Sequence, residues 1–336
     1  MRAYELQPRD GFDALTPVDR PTPTVGPTDV RVRVRAVSLN FRDLTMARAA
    51  RKRKAPVVPV SDGAGEVVEV GAAVTRVAVG DRVAGAFFPT WQSGDLSDYH
   101  HSRALGGGQD GMLAEEVVLP ETAWIRLPAR LSFEAGATLP CAGVTAYHAL
   151  FEAAHLRAGD VVVLQGTGGV SMFGLQLAKA AGARVILTSS SAAKRDRALA
   201  LGADHVIDYK TDLKWGESSR AWTGGRGADI VIEVGGPGTF DQSVAALRYG
   251  GTMSILGVLT GTRGEISTYG VFHKALRVAG VYVGSVAMFD GLVRALEANQ
   301  IDPIIDRTFG FGEAKQAYEY LASGVHFGKV VVTVDA

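Results

Sequence analysis

The chain of 336 residues is long enough for two domains, because a single hydrophobic core stops growing below that length. Apolar residues make up 47% and charged residues 21%, and the 35 basic and 35 acidic side chains cancel, so no net field indicates nucleic acid or an anionic membrane as a partner. The single cysteine, Cys141, excludes an intramolecular disulfide and a structural metal site of four thiolates.

The first residues have no apolar segment typical of a secretory signal, and no apolar stretch reaches the roughly 18 residues of a spanning helix, so we expect a cytoplasmic protein.

The first third of the chain is predicted to form β structure. In residues 30–40 (VRVRVRAVSLN) valine and arginine alternate, which gives a half-buried strand one apolar and one charged face. Similar alternation follows at 63–85, and short strands at close spacing predict a compact barrel-like sheet.

The segment 87–111 is a long predicted loop rich in aromatic and histidine residues, and loops of this length are often functional. Phe87, Trp91 and Tyr99 could wall an apolar substrate pocket, and His100 or His101 could donate a proton near neutral pH. In the alternative interpretation these side chains only anchor the loop or form an oligomer contact. We keep Tyr99 as a candidate catalytic residue.

Strands and helices alternate after about residue 122, which predicts parallel strands with helical crossovers. Six strand candidates between 161 and 285 are enough for a complete doubly wound sheet, the last being GVYVGS at 280–285. The stretch KVVVTV at 329–334 alternates like the first third, so we expect the chain to return to its first domain. The predicted domains are 1–122 with 300–336, and 123–299, with a cleft between them.

A glycine-rich turn follows the first of these six strands, in VVVLQGTGGVS at 161–171. Gly166 permits a tight turn, and Gly168 lets the backbone approach a pyrophosphate that the next helix N-terminus attracts. Ser171 replaces the third glycine of the usual motif, so it should push helix and strand slightly apart, with a hydroxyl that bonds locally or reaches a phosphate. The alternative is a glycine turn without a ligand. The predicted dinucleotide contacts are Gly166, Thr167, Gly168, Gly169 and Val170.

The end of the next strand indicates which dinucleotide binds. An NAD site usually has a carboxylate there, whereas residues 188–196 (TSSSAAKRD) offer hydroxyls, Ser189 among them, and then Lys194 and Arg195. Positive charge without a carboxylate favours the 2′-phosphate of NADP(H), with NAD(H) also possible. Tyr209, at the end of the third strand, is predicted beside that phosphate. In the alternative interpretations, Lys194 and Arg195 are only solvent-exposed charges on a helix face, and Tyr209 is a residue at the edge of the core.

Further motifs follow one another along the chain: SLNFRDL (38–44), SDGAGEVVEVG (61–71), VGDRVAG (79–85), LPCAGVTAYHAL (139–150), GADHVIDY (202–209) and HFGKVVV (326–332). In this order they resemble the medium-chain dehydrogenase/reductases, which include zinc alcohol dehydrogenases, zinc-free quinone oxidoreductases and enoyl reductases. The resemblance implies an α/β fold, with a Rossmann doubly wound parallel sheet and a GroES-like β-barrel catalytic domain, and commonly a dimer or tetramer. We expect a homodimer, with the apolar edge at 280–285 pairing across it.

The resemblance also bears on zinc. In zinc enzymes of this family the first two ligands are a cysteine and a histidine, and the matching residues here are Asn40 and Ser61. Only Cys141 matches a ligand position, and a catalytic zinc needs about three protein ligands. Asp62 or Asp43 could join Cys141, although such a site would be unusual. We therefore predict a zinc-free enzyme.

The missing Lewis acid restricts the chemistry. Nothing would stabilise an alkoxide, so oxidising a simple alcohol becomes difficult, whereas electron-poor acceptors need less help. The predicted reaction is hydride transfer from NADPH to a small electrophilic substrate, a quinone or an α,β-unsaturated carbonyl. Two alternatives stay open: an alcohol dehydrogenase or ketone reductase of the same superfamily, and a non-catalytic dinucleotide-binding redox sensor.

Three more catalytic candidates join Tyr99. Asn40 could orient the substrate or the nicotinamide, or it could be a strand-end turn residue. Asp43 would bond locally and order the loop. Thr145 matches a family threonine near the nicotinamide, with a helix cap as its alternative.

The remaining candidates are predicted to contact the cofactor. Gly235 and Gly257 end the fourth and fifth strands, at the carboxyl edge where ligands bind in open sheets. Val283 and Ser285 are expected over the nicotinamide. Lys329 matches a family residue near the cofactor.

Overall fold

The structure is a computed structural model that describes residues 1–334. The chain forms two compact units: unit 1, residues 1–144 with the chain from 284 onward, and unit 2, residues 145–283. Segments 123–144 and 284–299 pack with unit 1. The two units therefore meet after residue 144 and before residue 284 of the chain. The predicted domains, 1–122 with 300–336 and 123–299, divide the chain at other points, and their limits stay a prediction.

The helices and strands of residues 1–334 are named here in chain order. The strands are β1 (Arg2–Leu6), β2 (Leu15–Asp19), β3 (Asp29–Leu39), β4 (Asp62–Val70), β5 (Arg82–Gly85), β6 (Glu116–Pro120), β7 (Trp124–Arg126), β8 (Val161–Gln165), β9 (Arg184–Thr188), β10 (His205–Ile207), β11 (Ala228–Glu233), β12 (Leu247–Ile255), β13 (Arg277–Gly280), β14 (Ile305–Gly310) and β15 (Lys329–Thr333). The α-helices are α1 (Phe41–Arg48), α2 (Asp98–His101), α3 (Phe133–Ala137), α4 (Val144–Tyr147), α5 (Gly169–Ala180), α6 (Ala192–Ala200), α7 (Trp215–Trp222), α8 (Pro237–Ala246), α9 (Tyr269–His273), α10 (Val286–Ala298) and α11 (Ala314–Ala322). None of the helices in this part of the chain is long and apolar enough to cross a membrane.

Unit 1 is built on a seven-strand sheet around β3. The paired strands run in the order β14-β15-β3-β4-β5-β7, and β6 also pairs with β3. Val30, Val32 and Val34 are buried while the arginines between them are partly exposed, which is the predicted alternation. β15 returns antiparallel to β3, with Val330 opposite Leu39. The predicted return of the late strand to the first sheet is confirmed.

Unit 2 is a six-strand parallel sheet in the order β10-β9-β8-β11-β12-β13. The predicted doubly wound sheet is confirmed, and five of its strands overlap the predicted segments. The sixth is β13 rather than 280–285. Val283 has a φ of 56°, a left-handed conformation that an extended strand does not contain, so the chain leaves the sheet edge before it. Since β8 lies at the centre, where the strand order reverses, the turn after it occupies the usual position of a ligand site.

A buried carboxylate ties three strands of unit 2 together. Asp229 in β11 is 3% exposed and accepts hydrogen bonds from the Arg226 and Arg248 side chains and from the Val161 backbone N–H at 2.8 Å. Burial opposes its ionisation, but the bonds from both guanidinium groups and from Val161 lower the pKa of Asp229 from 3.8 to about 2.

We expect Asp229 to stabilise the fold by about 2 kcal/mol at neutral pH, since one pKa unit corresponds to about 1.4 kcal/mol. Its folded pKa lies below the unfolded one, so this contribution is present above a pH of about 4 and is lost as the pH falls toward about 2. Urea unfolding at about pH 7 and about pH 3 measures it. Asp229→Asn should lower the free energy of unfolding at neutral pH and flatten its pH dependence. The exposed Asp196→Asn is the control, and an unchanged pH dependence in Asp229→Asn would contradict the assignment.

Candidate active site

The glycine-rich turn of unit 2 joins the buried strand β8 to α5. Gly166 has a φ of 72°, in the left-handed region that favours glycine. Gly168 is the N-cap of α5, and a Cβ placed on it would meet no atom within 4 Å. The helix N-terminus is therefore bordered by open space, which suits an anionic pyrophosphate. All five predicted dinucleotide contacts, 166–170, belong to this turn and to the start of α5.

Ser171 occupies the position of the missing third glycine. It is buried, and its hydroxyl donates to the Gln165 carbonyl at 2.7 Å, so it bonds locally and ties α5 to the end of β8. The close contact between helix and strand occurs one turn later. A Cβ on Gly174 would lie 3.1 Å from a Leu164 methyl carbon, so the glycine that this packing favours stands at 174.

The end of β9 presents hydroxyl and basic groups. The Arg195 guanidinium donates to the Ser189 carbonyl at 2.7 Å and lies 2.9 Å from the Asp208 carboxylate. The backbone N–H of Lys210 and the charge of Arg195 lower the pKa of Asp208. Arg195 is thus partly neutralised by Asp208.

Tyr209 lies at the same edge of the sheet. Its side chain is exposed, and its hydroxyl donates to Ser190 Oγ at 3.4 Å, so tyrosine and serine hydroxyls come together there.

A polar network that the sequence analysis missed joins the ends of β8 and β11. Glu233 is fully buried. Its carboxylate accepts five hydrogen bonds, from Gln165 Nε2 at 2.6 Å, the Thr239 hydroxyl at 2.5 Å, the backbone N–H groups of Gly235 at 2.7 Å and Gly236 at 2.8 Å, and the Ser243 hydroxyl. The available signal was a glutamine and a glutamate at the ends of otherwise apolar strands, VVVLQ and ADIVIE. The network shapes the carboxyl edge of the sheet.

Gly235 and Gly257 both lie where packing leaves no room for a side chain. A Cβ on Gly235 would be 2.1 Å from Thr239 Oγ1, and a Cβ on Gly257 would be 2.4 Å from the Val234 carbonyl oxygen. Packing alone therefore requires glycine at both positions, and their cofactor contacts stay a prediction.

Three predicted residues lie where the chain passes between units. Thr145 is buried in α4. The Val283 carbonyl accepts from His148 Nδ1 at 2.7 Å within unit 2. Ser285 caps α10 by accepting from the Met288 N–H at 3.3 Å within unit 1. The left-handed conformation of Val283 costs about 1–3 kcal/mol, and such strain concentrates at functional sites.

Unit 1 contains a buried group of side chains that we call the lysine cluster: Asn40, Asp43, Asp62, Cys141 and Lys329. Lys329 is 3% exposed. Its Nζ donates to the Leu39 carbonyl at 2.7 Å and to Asn40 Oδ1 at 2.5 Å. The Asn40 backbone N–H donates to Asp43 Oδ2 at 2.7 Å, which links the lysine to the first turn of α1.

Asp62 forms the other side of the lysine cluster. Its two carboxylate oxygens accept from the Ser61 hydroxyl at 2.6 Å and from the Cys141 backbone N–H at 3.1 Å. Asn40 and Asp43 of the motif at 38–44 and Lys329 of the motif at 326–332 therefore come together with Asp62 and Cys141.

Burial opposes every charge in the lysine cluster. It lowers the pKa of Lys329, while Asp62, Cys141 and Asp43 act in the opposite direction. It raises the pKa of Asp62 and, against the charge of the neighbouring Arg42, brings the pKa of Asp43 to about 6. The charge of Lys329 and the charges of Asp62 and Asp43 therefore stabilise one another against burial inside unit 1.

The residues at the expected zinc positions do not provide the donors that zinc needs. Asn40 engages its Oδ1 with Lys329, and the Ser61 hydroxyl donates to Asp62. Burial raises the pKa of the Cys141 thiol, which disfavours the thiolate that binds metals. Among residues 1–334, no three His, Cys, Asp or Glu side chains are grouped to hold a metal ion.

The aromatic residues at the start of the 87–111 loop are buried. Phe87, Phe88 and Trp91 are at most 3% exposed. The Phe88 ring lies edge-on to Phe87 and Trp91, with centroids 4.6 and 5.8 Å apart. The Trp91 Nε1 donates to the Gly94 carbonyl at 2.9 Å, so Trp91 also fixes the backbone of its own loop.

Tyr99 and the two histidines lie in the short helix α2. Tyr99 is 55% exposed, and the Arg103 guanidinium lies 3.8 Å from its ring centroid. His100 Nδ1 is 3.1 Å from Thr90 Oγ1, and the His101 ring is 6.4 Å from Phe88. Tyr99 takes part in none of the hydrogen bonds of the lysine cluster, and its catalytic role stays a prediction.

Comparisons with known proteins match both parts of the chain. A family model described as the alcohol dehydrogenase GroES-like domain matches residues 26–129, and one described as zinc-binding dehydrogenase matches residues 169–298. A zinc-type alcohol dehydrogenase-like protein of Schizosaccharomyces pombe is 41% identical over 97% of this chain and 96% of its own. The acryloyl-coenzyme A reductase of Metallosphaera sedula is 30% identical over 97% of each chain.

Solved structures are similar over the whole length. The quinone oxidoreductase of Coxiella burnetii superposes with a TM-score of 0.81 at 28% identity, over 100% of this chain and 99% of its own. A crotonyl-CoA carboxylase/reductase in complex with NADP superposes with a TM-score of 0.87 at 25% identity, over 100% of this chain and 95% of its own.

Proposed function

The chain belongs to the medium-chain dehydrogenase/reductase family, and from that premise we propose that it reduces a quinone or an α,β-unsaturated carbonyl with NADPH and without catalytic zinc. It is an oxidoreductase that combines a GroES-like domain with a doubly wound dinucleotide-binding sheet. The observation that carries the proposal is the lysine cluster with the adjacent Ser61. Asn40 and Ser61 stand at two metal-donor positions and are engaged by Lys329 and Asp62.

An electron-poor acceptor suits this site. Zinc assists alcohol chemistry by stabilising an alkoxide, and the donors of unit 1 do not suit that ion. In a quinone or an enone, conjugation spreads the charge that hydride transfer adds, so hydrogen-bond donors can stabilise it. The relatives named acryloyl-coenzyme A reductase and quinone oxidoreductase support this acceptor class for the present chain.

The proposed roles follow from the contacts of each residue. NADPH, when bound, supplies a hydride from its nicotinamide ring. Gly168 leaves space for the pyrophosphate at the N-terminus of α5. Lys329 holds Asn40 by its amide oxygen, and the amide nitrogen donates to the Ser38 carbonyl at 3.4 Å, so both ends of that amide are held in place beside the proposed acceptor site. Asp43 holds the Asn40 backbone, and Thr145 keeps its proposed place near the nicotinamide.

We assign the 2′-phosphate of NADPH to the end of β9. Ser189, Lys194 and Tyr209 supply hydroxyl groups and one positive charge there, and the neighbouring Asp208 carboxylate is paired with Arg195 at 2.9 Å. The neighbouring structure in complex with NADP supports the choice. NAD(H) should bind more weakly because it lacks the group that Lys194 attracts.

A homodimer formed at the edge of unit 2 is part of the proposal. β13 is the last strand of the described sheet, and Val278, Tyr269 and Phe272 are exposed in or near it. Pairing of β13 with its copy would cover an open apolar edge. Light scattering of the protein as it elutes from a size-exclusion column should give twice the mass of one chain. The mass of a single chain would contradict the dimer.

An acceptor panel tests the proposed function. NADPH oxidation is followed with benzoquinone, cyclohexenone, an acryloyl thioester, a saturated aldehyde and a saturated ketone. We expect turnover of a quinone or an unsaturated carbonyl, with a KM for NADPH at least about tenfold below that for NADH, which is the factor that 1.4 kcal/mol provides. Turnover of saturated carbonyls alone would favour an alcohol dehydrogenase, and binding without turnover would favour a redox sensor. Both outcomes contradict the proposal.

A further inference from the structure

The ammonium group of Lys329 has one more hydrogen-bond donor than unit 1 uses. An ammonium carries three N–H donors, and two of them go to the Leu39 carbonyl and to Asn40 Oδ1. Among the residues that the structure describes, no acceptor takes the third. The side chain is 3% exposed, so bulk water does not surround it. A buried donor without a partner is costly and rare in folded proteins.

A second lysine shows what a structural ammonium looks like in this chain. Lys274 in unit 2 donates to three backbone carbonyls, those of Val244 at 2.7 Å, Ala245 at 3.0 Å and Leu247 at 2.9 Å. All its donors are used at the end of α8, where carbonyls lack helical partners. Lys329 is the more deeply buried of the two, and yet only two of its three N–H donors have an acceptor among the described residues.

The surroundings of Lys329 favour an ammonium that can give up a proton. The charged or titratable groups acting on it are Asp62 on β4, Asp43 on α1 and Cys141, and burial opposes its charge more strongly than they support it. Strongly perturbed groups of this kind concentrate at functional sites, and a lysine with a lowered pKa is a better acid than one in water.

We propose that Lys329 is a catalytic residue whose third N–H donates to the carbonyl oxygen of the bound acceptor and then delivers its proton there. The inference deepens the proposed function and rests on it. It gives Lys329 a role toward the substrate in place of the cofactor contact that its motif position implies.

The step balances with NADPH as the reductant. Hydride adds two electrons and one hydrogen to the β-carbon of an enone, and the C=C electrons move to leave negative charge on the carbonyl oxygen. One N–H bond of Lys329 breaks and an O–H bond forms on that oxygen, giving an enol that becomes the saturated carbonyl in water. The neutral amine recovers a proton from water after the product leaves. In a quinone the same two transfers give the hydroquinone.

Lys329→Met and Lys329→Arg test the inference in the full-length protein. We expect Lys329→Met to lower kcat at least about 100-fold, as for loss of a general acid, while the Kd of NADPH measured by fluorescence changes less than about twofold. Wild-type kcat should fall as the pH rises through the lowered pKa of Lys329. Lys329→Arg keeps the charge but does not deprotonate, so that fall should vanish. Lys274→Met is the matched control, and it should lower thermal stability while keeping both kcat and the fall.

The outcomes separate the inference from the function on which it rests. If wild type reduces no quinone or enone, the proposed function fails. If wild type is active and Lys329→Met retains its kcat and its alkaline fall, the inference alone is overturned. A large rise in the Kd of NADPH with unchanged kcat would instead make Lys329 a cofactor contact and also overturn it. If Lys329→Met does not fold, the test uses Lys329→Arg. A kcat of folded Lys329→Arg that still falls as the pH rises would also overturn the inference.

Discussion

Replacing Gly168 by aspartate should weaken NADPH binding about 1,000-fold and leave the fold intact. A side chain at this position meets no atom within 4 Å, and the φ of −76° suits any residue. The new carboxylate would lie beside the N-terminus of α5, where we place the pyrophosphate. Two like charges about 4 Å apart near a protein surface repel by about 4 kcal/mol, which corresponds to about 1,000-fold in Kd. Fluorescence titration with NADPH measures it.

Gly312→Asp is the matched control for this substitution. Gly312 lies in unit 1, also has no atom within 4 Å of a built Cβ, and belongs to none of the predicted contacts. Its variant should bind NADPH like wild type and melt at a similar temperature. A wild-type Kd in folded Gly168→Asp would mean that the dinucleotide does not bind at this turn.

Glu233→Ala should lower the free energy of unfolding by about 3–5 kcal/mol, because each buried donor left without an acceptor costs about 1–3 kcal/mol. Five donors share the carboxylate in a fully buried place. Gln165, Thr239 and the Gly235 N–H each have a second acceptor, whereas the Gly236 N–H and the Ser243 hydroxyl would lose the acceptor that they now use. The turn after β11 depends on these bonds, since two of the donors are the backbone N–H groups of Gly235 and Gly236. Urea unfolding, followed by circular dichroism, gives the change.

Two comparisons keep this result specific. Glu233→Gln retains the shape and one carbonyl oxygen, so its loss should be smaller than that of alanine. Glu217→Ala removes an exposed glutamate from α7 that lies 3.4 Å from Lys214, and exposed pairs contribute about 1 kcal/mol or less. Equal losses for Glu233→Ala and Glu217→Ala would show that the network does not hold the sheet edge.

Features with a local period were predictable from the sequence. The alternation of valine and arginine fixed the face of β3, because side chains of a strand point to opposite sides in turn. The glycines after β8 indicated the turn into α5, because left-handed backbone and open space both favour that residue type. The alternating stretch at β15 indicated a strand, and its resemblance to the first third indicated its sheet.

Features that depend on distant partners were not predictable in this way. Lys329 and Asn40 are 289 positions apart in the chain, so nothing local shows that they share a hydrogen bond or that the lysine is buried. The five bonds of Glu233 come from three different segments. β13 was placed too late because the apolar stretch continues past Gly280, where the strand ends, and the left-handed φ of Val283 then takes the chain out of the extended conformation.

Turnover by metal-free protein tests the central claim most directly. The protein is treated with a chelator, its zinc content is measured by mass spectrometry, and NADPH-dependent reduction of the preferred quinone or enone is assayed before and after zinc is added. We expect full activity without zinc and no gain on its addition, because Asn40 and Ser61 offer no ligands to complete a site with Cys141. Activity that disappears with the metal and returns with one equivalent of zinc would contradict the claim.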